Sequence, residues 1–199
     1  EFGYRNVRPQ PLILSYSGQP FVDVRASLNS FIPASLPEAT AERIANAYIK
    51  ILADNPHYHD KIEFNVAYTN WTPGFNKNAS QRFSPYGVTN EDILLLEESL
   101  KKITCEALIR LHSDIKSVDL LGIRREKILA SGLPAIDKIF SLLDDCKRFG
   151  TLAFAHAARS GFIATTWLKN CVATGAFTDD RRLSFLKSFS TVAGEFNKD

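Results

Sequence analysis

The residues with the clearest chemical potential alternate along one short segment. Within residues 21–31, Asp23, Arg25, Ser27 and Asn29 are separated by Val22, Val24, Ala26 and Leu28. Read as a strand, with side chains alternating between its faces, this segment puts an acid, a base, a hydroxyl and an amide on one side and an apolar backing on the other. Residues 61–69 repeat the pattern, Glu63 and Asn65 alternating with Ile62, Phe64 and Val66. Paired, the two strands would form a polar wall for a small molecule. Asp23 and Arg25, with Asp60 and Glu63, are the carboxylate and base candidates for orienting an acceptor hydroxyl or removing its proton. The competing reading is charge pairing within a sheet.

Two cationic groups complete the inventory. Arg5 and Arg8 flank a short segment ending at Pro9, close in sequence to the first strand. Two guanidinium groups there can clamp a phosphate or carboxylate through paired hydrogen bonds, or form ion pairs with Asp23 or Glu63. Lys147, Arg148 and Arg159 surround a second possible anion site at a helix junction, where the small residues Ala157, Ala158, Ser160 and Gly161 suit close helix packing. The histidines do not spell a metal site. His57 and His59 have the wrong spacing, and His156 lies on an apolar helix where a satisfied core histidine is the ordinary reading. No metal ligands are assigned.

The elements expected to position these groups follow from the patterning. Residues 12–16 and 21–25 flank the turn-forming Ser17-Gly-Gln-Pro20 and read as a hairpin, to which residues 62–68 add a third strand. Between them lies a helix with Ser35 as N-cap, Pro37 in the first turn and Ile44, Ala47, Tyr48, Ile51 and Leu52 along one side. Residues 70–86 are rich in Asn, Pro, Gly and Ser and read as a long loop, anchored by Trp71, Phe75, Phe83 and Tyr86. Thr89-Asn-Glu-Asp92 resembles a capping box, followed by an apolar stripe from Ile93 to Leu111. Further helices are expected over 115–130, 134–148, 152–173 and 179–197. The fold class is therefore α+β and predominantly α: a small antiparallel sheet near the N-terminus packed with a C-terminal helical bundle. We expect one domain over 1–199, with the sheet, helix and long loop in 1–88 and the bundle in 89–199.

Composition narrows the function classes. At 199 residues, 45% hydrophobic and 23% charged, the chain has globular composition, and no apolar run approaches the length of a membrane span. The net charge of +2 comes from scattered basic pairs rather than a stripe, so no nucleic-acid partner is expected. Cys105, Cys146 and Cys171 lack metal or disulfide spacing and fit a reducing cytoplasm as buried thiols. A start at Glu1-Phe2 with no Met anywhere reads as a piece excised from a longer protein. Phosphate-loop, dinucleotide, nucleophile-elbow and His-Glu-x-x-His motifs are all missing.

Several blocks carry a family resemblance. Gly3-Tyr-Arg-Asn-Val-Arg-Pro9, residues 23–31, His59-Asp-Lys-Ile-Glu-Phe64, residues 145–154 and Ala158-Arg-Ser-Gly-Phe162 look like blocks of phosphoenolpyruvate synthase-like proteins, which are related to pyruvate phosphate dikinase, and of the similar rifampicin phosphotransferases. The resemblance runs along nearly the whole chain and covers only the middle of such a protein. It implies a helical domain between an ATP-grasp domain and a swivelling phosphohistidine domain of the same chain, with ATP and Mg²⁺ bound outside this segment. It further implies that a small-molecule acceptor is held partly here, for which the residue patterns above offer Arg5, Arg8, Asp23, Arg25, Asn29, Asp60 and Glu63 as contacts. The segment alone would then be inactive. The alternatives are a noncatalytic interaction or scaffold module and a small-molecule sensor of the same fold.

Overall fold

The computed structural model describes residues 2–189. Its fold is α+β and mostly helical, with one two-stranded antiparallel sheet near the N-terminus. Strands β1 (Ile13–Tyr16) and β2 (Gln19–Val22) pair in the register Ile13 with Val22 and Tyr16 with Gln19. Ser17 (φ 51°) and Gly18 (φ 78°) are both left-handed, the backbone that a two-residue turn needs to match the strand twist. The hairpin's side chains are largely open to solvent, including Ile13, Tyr16, Phe21 and Val22.

The longer strand expected over residues 21–31 does not form. The Asp23 side chain accepts the Ala26 N–H at 2.9 Å, which caps helix α1 (Val24–Asn29) and ends β2 at Val22. An N-cap of this kind offers the backbone an alternative to the ladder, and Asp favours it. Asp23, Arg25, Ser27 and Asn29 therefore share no strand face. The third strand is also absent: Ile62–Val66 is a single π-helical turn.

Helix α2 (Glu38–Asp54) buries Ile44, Ala47, Tyr48 and Ile51 as its spacing predicts, with Leu52 at the edge of the core. Its N-cap is Pro37, while the Ser35 hydroxyl bonds Ser99 instead. Residues 70–86 are not one loop. They contain α3 (Phe75–Phe83) and a 3₁₀ turn at Ser84–Tyr86. Phe75 and Phe83 are buried, and Trp71 and Tyr86 pack against the core, so these rings do anchor the segment.

Helix α4 (Asn90–Ala130) is one continuous element of 41 residues, where the sequence suggested two. At 1.5 Å per residue it is roughly 60 Å long. Thr89 and Asp92 make the expected capping box. Ile93, Leu96, Leu100 and Ile103 join α2 and α3 in the core, which ends near Ala107. Beyond that point α5 (Ala135–Asp145) and α6 (Thr151–Ala173) run against α4, and α7 (Asp179–Lys187) follows. The helix expected over 179–197 extends past the described residues. The π turn Cys146–Gly150 joins α5 to α6, so Gly150 does not break the helix. Cys105 and Cys146 are exposed rather than buried. Among the described residues no helix is long and apolar enough to cross a membrane.

Candidate functional site

The N-terminal segment reaches the helical part through a series of close fits. Arg5 N–H donates to Ile32 O and Ala34 N–H to Gly3 O, both at 2.8 Å, and the Tyr4 hydroxyl donates to Thr69 O. Gly3 lies at φ 91°, and a Cβ there would stand 2.7 Å from Ile103 Cγ1, so the chain passes α4 at a distance only glycine permits. This strap forms one wall of a cleft of about 650 Å³. The opposite wall is the π turn and the first turns of α6.

The two cationic groups that the sequence suggests separately line this one cleft. Arg5 and Arg8 come from the strap, Lys147 and Arg148 from the π turn, and Arg159 from α6. Asn6, Ser30 and Thr151 add neutral hydrogen-bonding groups, and no carboxylate belongs to the lining. The five cations differ in how far they are already committed. Arg5 grips Glu38 with two nitrogens at 2.7 and 3.1 Å, and Arg148 Nε lies 2.8 Å from Asp144. Among the described residues Arg8, Lys147 and Arg159 enter no ion pair. Arg159 stacks over the rings of Tyr4 at 4.4 Å and Phe31 at 5.2 Å. Its Nη1 is shut off from solvent without a hydrogen-bond partner among the described residues. Burial pushes the Tyr4 hydroxyl above its ordinary pKa, an effect the Arg159 charge opposes.

The cleft floor is a second polar unit. His156 Nδ1 lies 2.9 Å from Asp114 Oδ1, and Arg110 Nη2 lies 3.1 and 3.2 Å from the two ring nitrogens. Phe2 covers the imidazole with centroids 5.6 Å apart. His156 is thus engaged by Asp114 and Arg110 together, which fits a structural histidine.

The other sequence candidates lie elsewhere. Asp23 is occupied as the α1 cap and by Gln10 at 3.2 Å. Arg25 reaches Asn46 at 3.3 Å and, with Asn29, lines a shallow hollow shared with Arg5, Glu38 and Glu42. Asp60 lines neither hollow and is exposed. Glu63 faces a different pocket, beside α3. The polar strand wall is thus replaced by a cationic cleft. Among its lining residues, Tyr4, Asn6 and Thr151 went unrecognised. A signal was present: Arg148, Leu152, Ala155 and Arg159 recur at helical spacing and mark one face of a continuous helix.

Chemically, the unpaired Arg8 and Lys147, with the ring-stacked Arg159 behind them and hydroxyl and amide donors beside them, suit a phosphate or carboxylate, which accepts several charge-assisted hydrogen bonds at once. Among the described residues no group of three His, Cys, Asp or Glu side chains comes together to hold a metal ion. No family model matches the chain, and no curated protein or solved structure matches it either.

Proposed function

We propose that this chain is the acceptor-binding or linking domain of a phosphoenolpyruvate synthase-like, ATP-dependent phosphotransferase, and that the cationic cleft holds the phosphoryl or carboxylate group of its ligand. The observation carrying this reading is the convergence of Arg5, Arg8, Lys147, Arg148 and Arg159 on one cleft free of lining carboxylates. The family part rests on the resemblance of the sequence blocks that include those same five residues. In phosphoryl transfer such groups position the substrate and neutralise charge on the transferring oxygens. ATP, Mg²⁺ and the phosphorylated histidine belong to other domains in this proposal. The fixed partner of His156 and its cover by Phe2 argue against its being the phosphoryl carrier.

The test uses the natural protein that contains this chain, incubated with Mg²⁺ and ATP labelled separately at the β- and γ-phosphates. Acid-labile label on a histidine outside this chain, passed onward only while Arg8 and Lys147 are intact, is the expected result. Absence of any histidine label overturns the phosphotransferase assignment. Transfer undiminished in an Arg8→Ala, Lys147→Ala double variant removes the cleft from the account.

A further inference from the structure

A second cavity, of about 470 Å³, opens on the far side of the strap between the Ile62–Val66 π turn, α3 and the C-terminal half of α6. Its volume lies in the range of small-molecule sites, roughly 300–1,000 Å³. Its walls are unusual for a surface hollow. Thr69, Asn70 and Thr72, all more than nine-tenths buried, are among the residues lining it. Packing alone would fill such positions with apolar side chains.

The more telling observation is how many polar side chains there have no partner among the described residues. Among the described residues, the Glu63 carboxylate and the side-chain amides of Asn65, Asn78 and Gln81 enter no hydrogen bond or ion pair. Tyr68 and Arg82 also line the cavity, and Tyr68 Oη and Arg82 Nη1 are out of contact with solvent and without a partner. Native structures rarely leave buried polar atoms unpaired, so Tyr68 Oη and Arg82 Nη1 mark this wall as one not built for packing alone.

The chemistry of these groups selects a ligand class. Primary amides present both donors and acceptors, a carboxylate accepts only, and a guanidinium donates only. Hydroxyl groups, each donor and acceptor, match all three. The rings do not form a stacking platform for a planar base, because Arg82 lies over Tyr68 at 4.3 Å and Lys169 over Phe64 at 5.1 Å. We infer that this cavity is a binding site for a polyhydroxylated small molecule, a monosaccharide or cyclitol, separate from the cationic cleft. Asn78, Gln81 and Arg82 supply one wall from successive turns of α3, and Glu63 and Asn65 supply the opposite one. Tyr4 stands between the two sites, lining the cleft while its hydroxyl holds Thr69 of the cavity wall.

The test is a nitrogen-15 NMR titration of the full chain with D-glucose, D-galactose and myo-inositol up to about 50 mM, enough to saturate a site of millimolar Kd. At least one of them should shift the side-chain amide signals of Asn65, Asn78 and Gln81 saturably. The Kd should rise at least tenfold in an Asn78→Leu, Gln81→Leu double variant. Both positions are exposed, so the fold survives, and an unchanged melting temperature verifies this. An Arg8→Ala, Lys147→Ala variant should leave the shifts unaltered. Three results overturn the inference: no saturable shift with any of the three probes, shifts that persist in the double Leu variant, or saturable binding of free glutamine, used as a zwitterionic control, without binding of a polyol.

Discussion

Replacing Asp92 with alanine should cost more stability than any other single change at a polar residue of the described core. Asp92 is 1% exposed and sits at the third residue of α4, where its carboxylate accepts hydrogen bonds from five groups. Arg43 donates through Nε at 2.8 Å and Nη2 at 2.6 Å, Thr40 Oγ1 at 2.7 Å, Thr89 Oγ1 at 2.8 Å and Thr89 N–H at 3.0 Å. The Arg43 guanidinium is half exposed and regains water when its partner leaves, so its share is discounted. The buried Thr40 hydroxyl and the Thr89 N–H do not recover as easily. Losing the capping box costs about 1 kcal/mol, and stranding a buried donor a further ~1–3 kcal/mol. The expected loss is about 3 kcal/mol, or roughly 6–12 °C in melting temperature for a domain of this size. Circular dichroism during thermal and urea unfolding measures it. The Arg43 hydrogen bonds hold the Asp92 carboxyl well below the usual carboxylate range. A depressed folded pKa means the stabilisation is fully present above the unfolded value of about 3.9 and fades as pH falls below it. The gap between wild type and variant should therefore narrow as pH drops from about 4 toward 2. A loss under about 1 kcal/mol at neutral pH, or a gap that widens in acid, refutes the reasoning.

Three other substitutions probe different parts of the fold. Gly3→Ala forces a Cβ to within 2.7 Å of Ile103 Cγ1 at φ 91°, and urea unfolding should show a loss of about 1–3 kcal/mol. Tyr48→Phe removes the fully buried hydroxyl that accepts the Tyr68 N–H at 3.0 Å, and thermal unfolding should register about 1–3 kcal/mol for the stranded donor. Phe140→Ser, at a side chain 73% exposed on α5, should change stability by no more than about 0.5 kcal/mol in the same assay.

The helical elements were legible where either the apolar period or a side-chain cap was strong. The apolar face of α2 and the Thr89–Asp92 capping box both read directly from residue spacing. Alternation misled at residues 21–31 and 61–69 because a period of two in a short segment says nothing about whether a partner edge exists. Asp23 instead used its side chain as a cap, and residues 62–66 coiled into a π turn. Gly150 falls in the break expected between the helices over 134–148 and 152–173, yet it sits inside continuous helical structure where neighbouring turns outweigh its propensity. The cationic residues were recognisable by type, but their meeting was not. Residues 5–8 and 147–159 are brought together by the fit of Gly3 against Ile103 and by the π turn, which are tertiary facts that no local pattern encodes.

The central claim is that the strap and α6 form an anion site, and calorimetric titration of the full chain with inorganic phosphate and pyrophosphate tests it most directly. Arg8 and Lys147 are exposed and enter no ion pair among the described residues, so removing them should leave the fold intact. Saturable binding should appear in the wild type and weaken at least tenfold, about 1.4 kcal/mol, in the Arg8→Ala, Lys147→Ala variant. An Arg181→Ala, Arg182→Ala control on α7, with the same charge removed outside the cleft, should bind as tightly as wild type. Binding that is absent from the wild type, or that falls equally in both variants, contradicts the account.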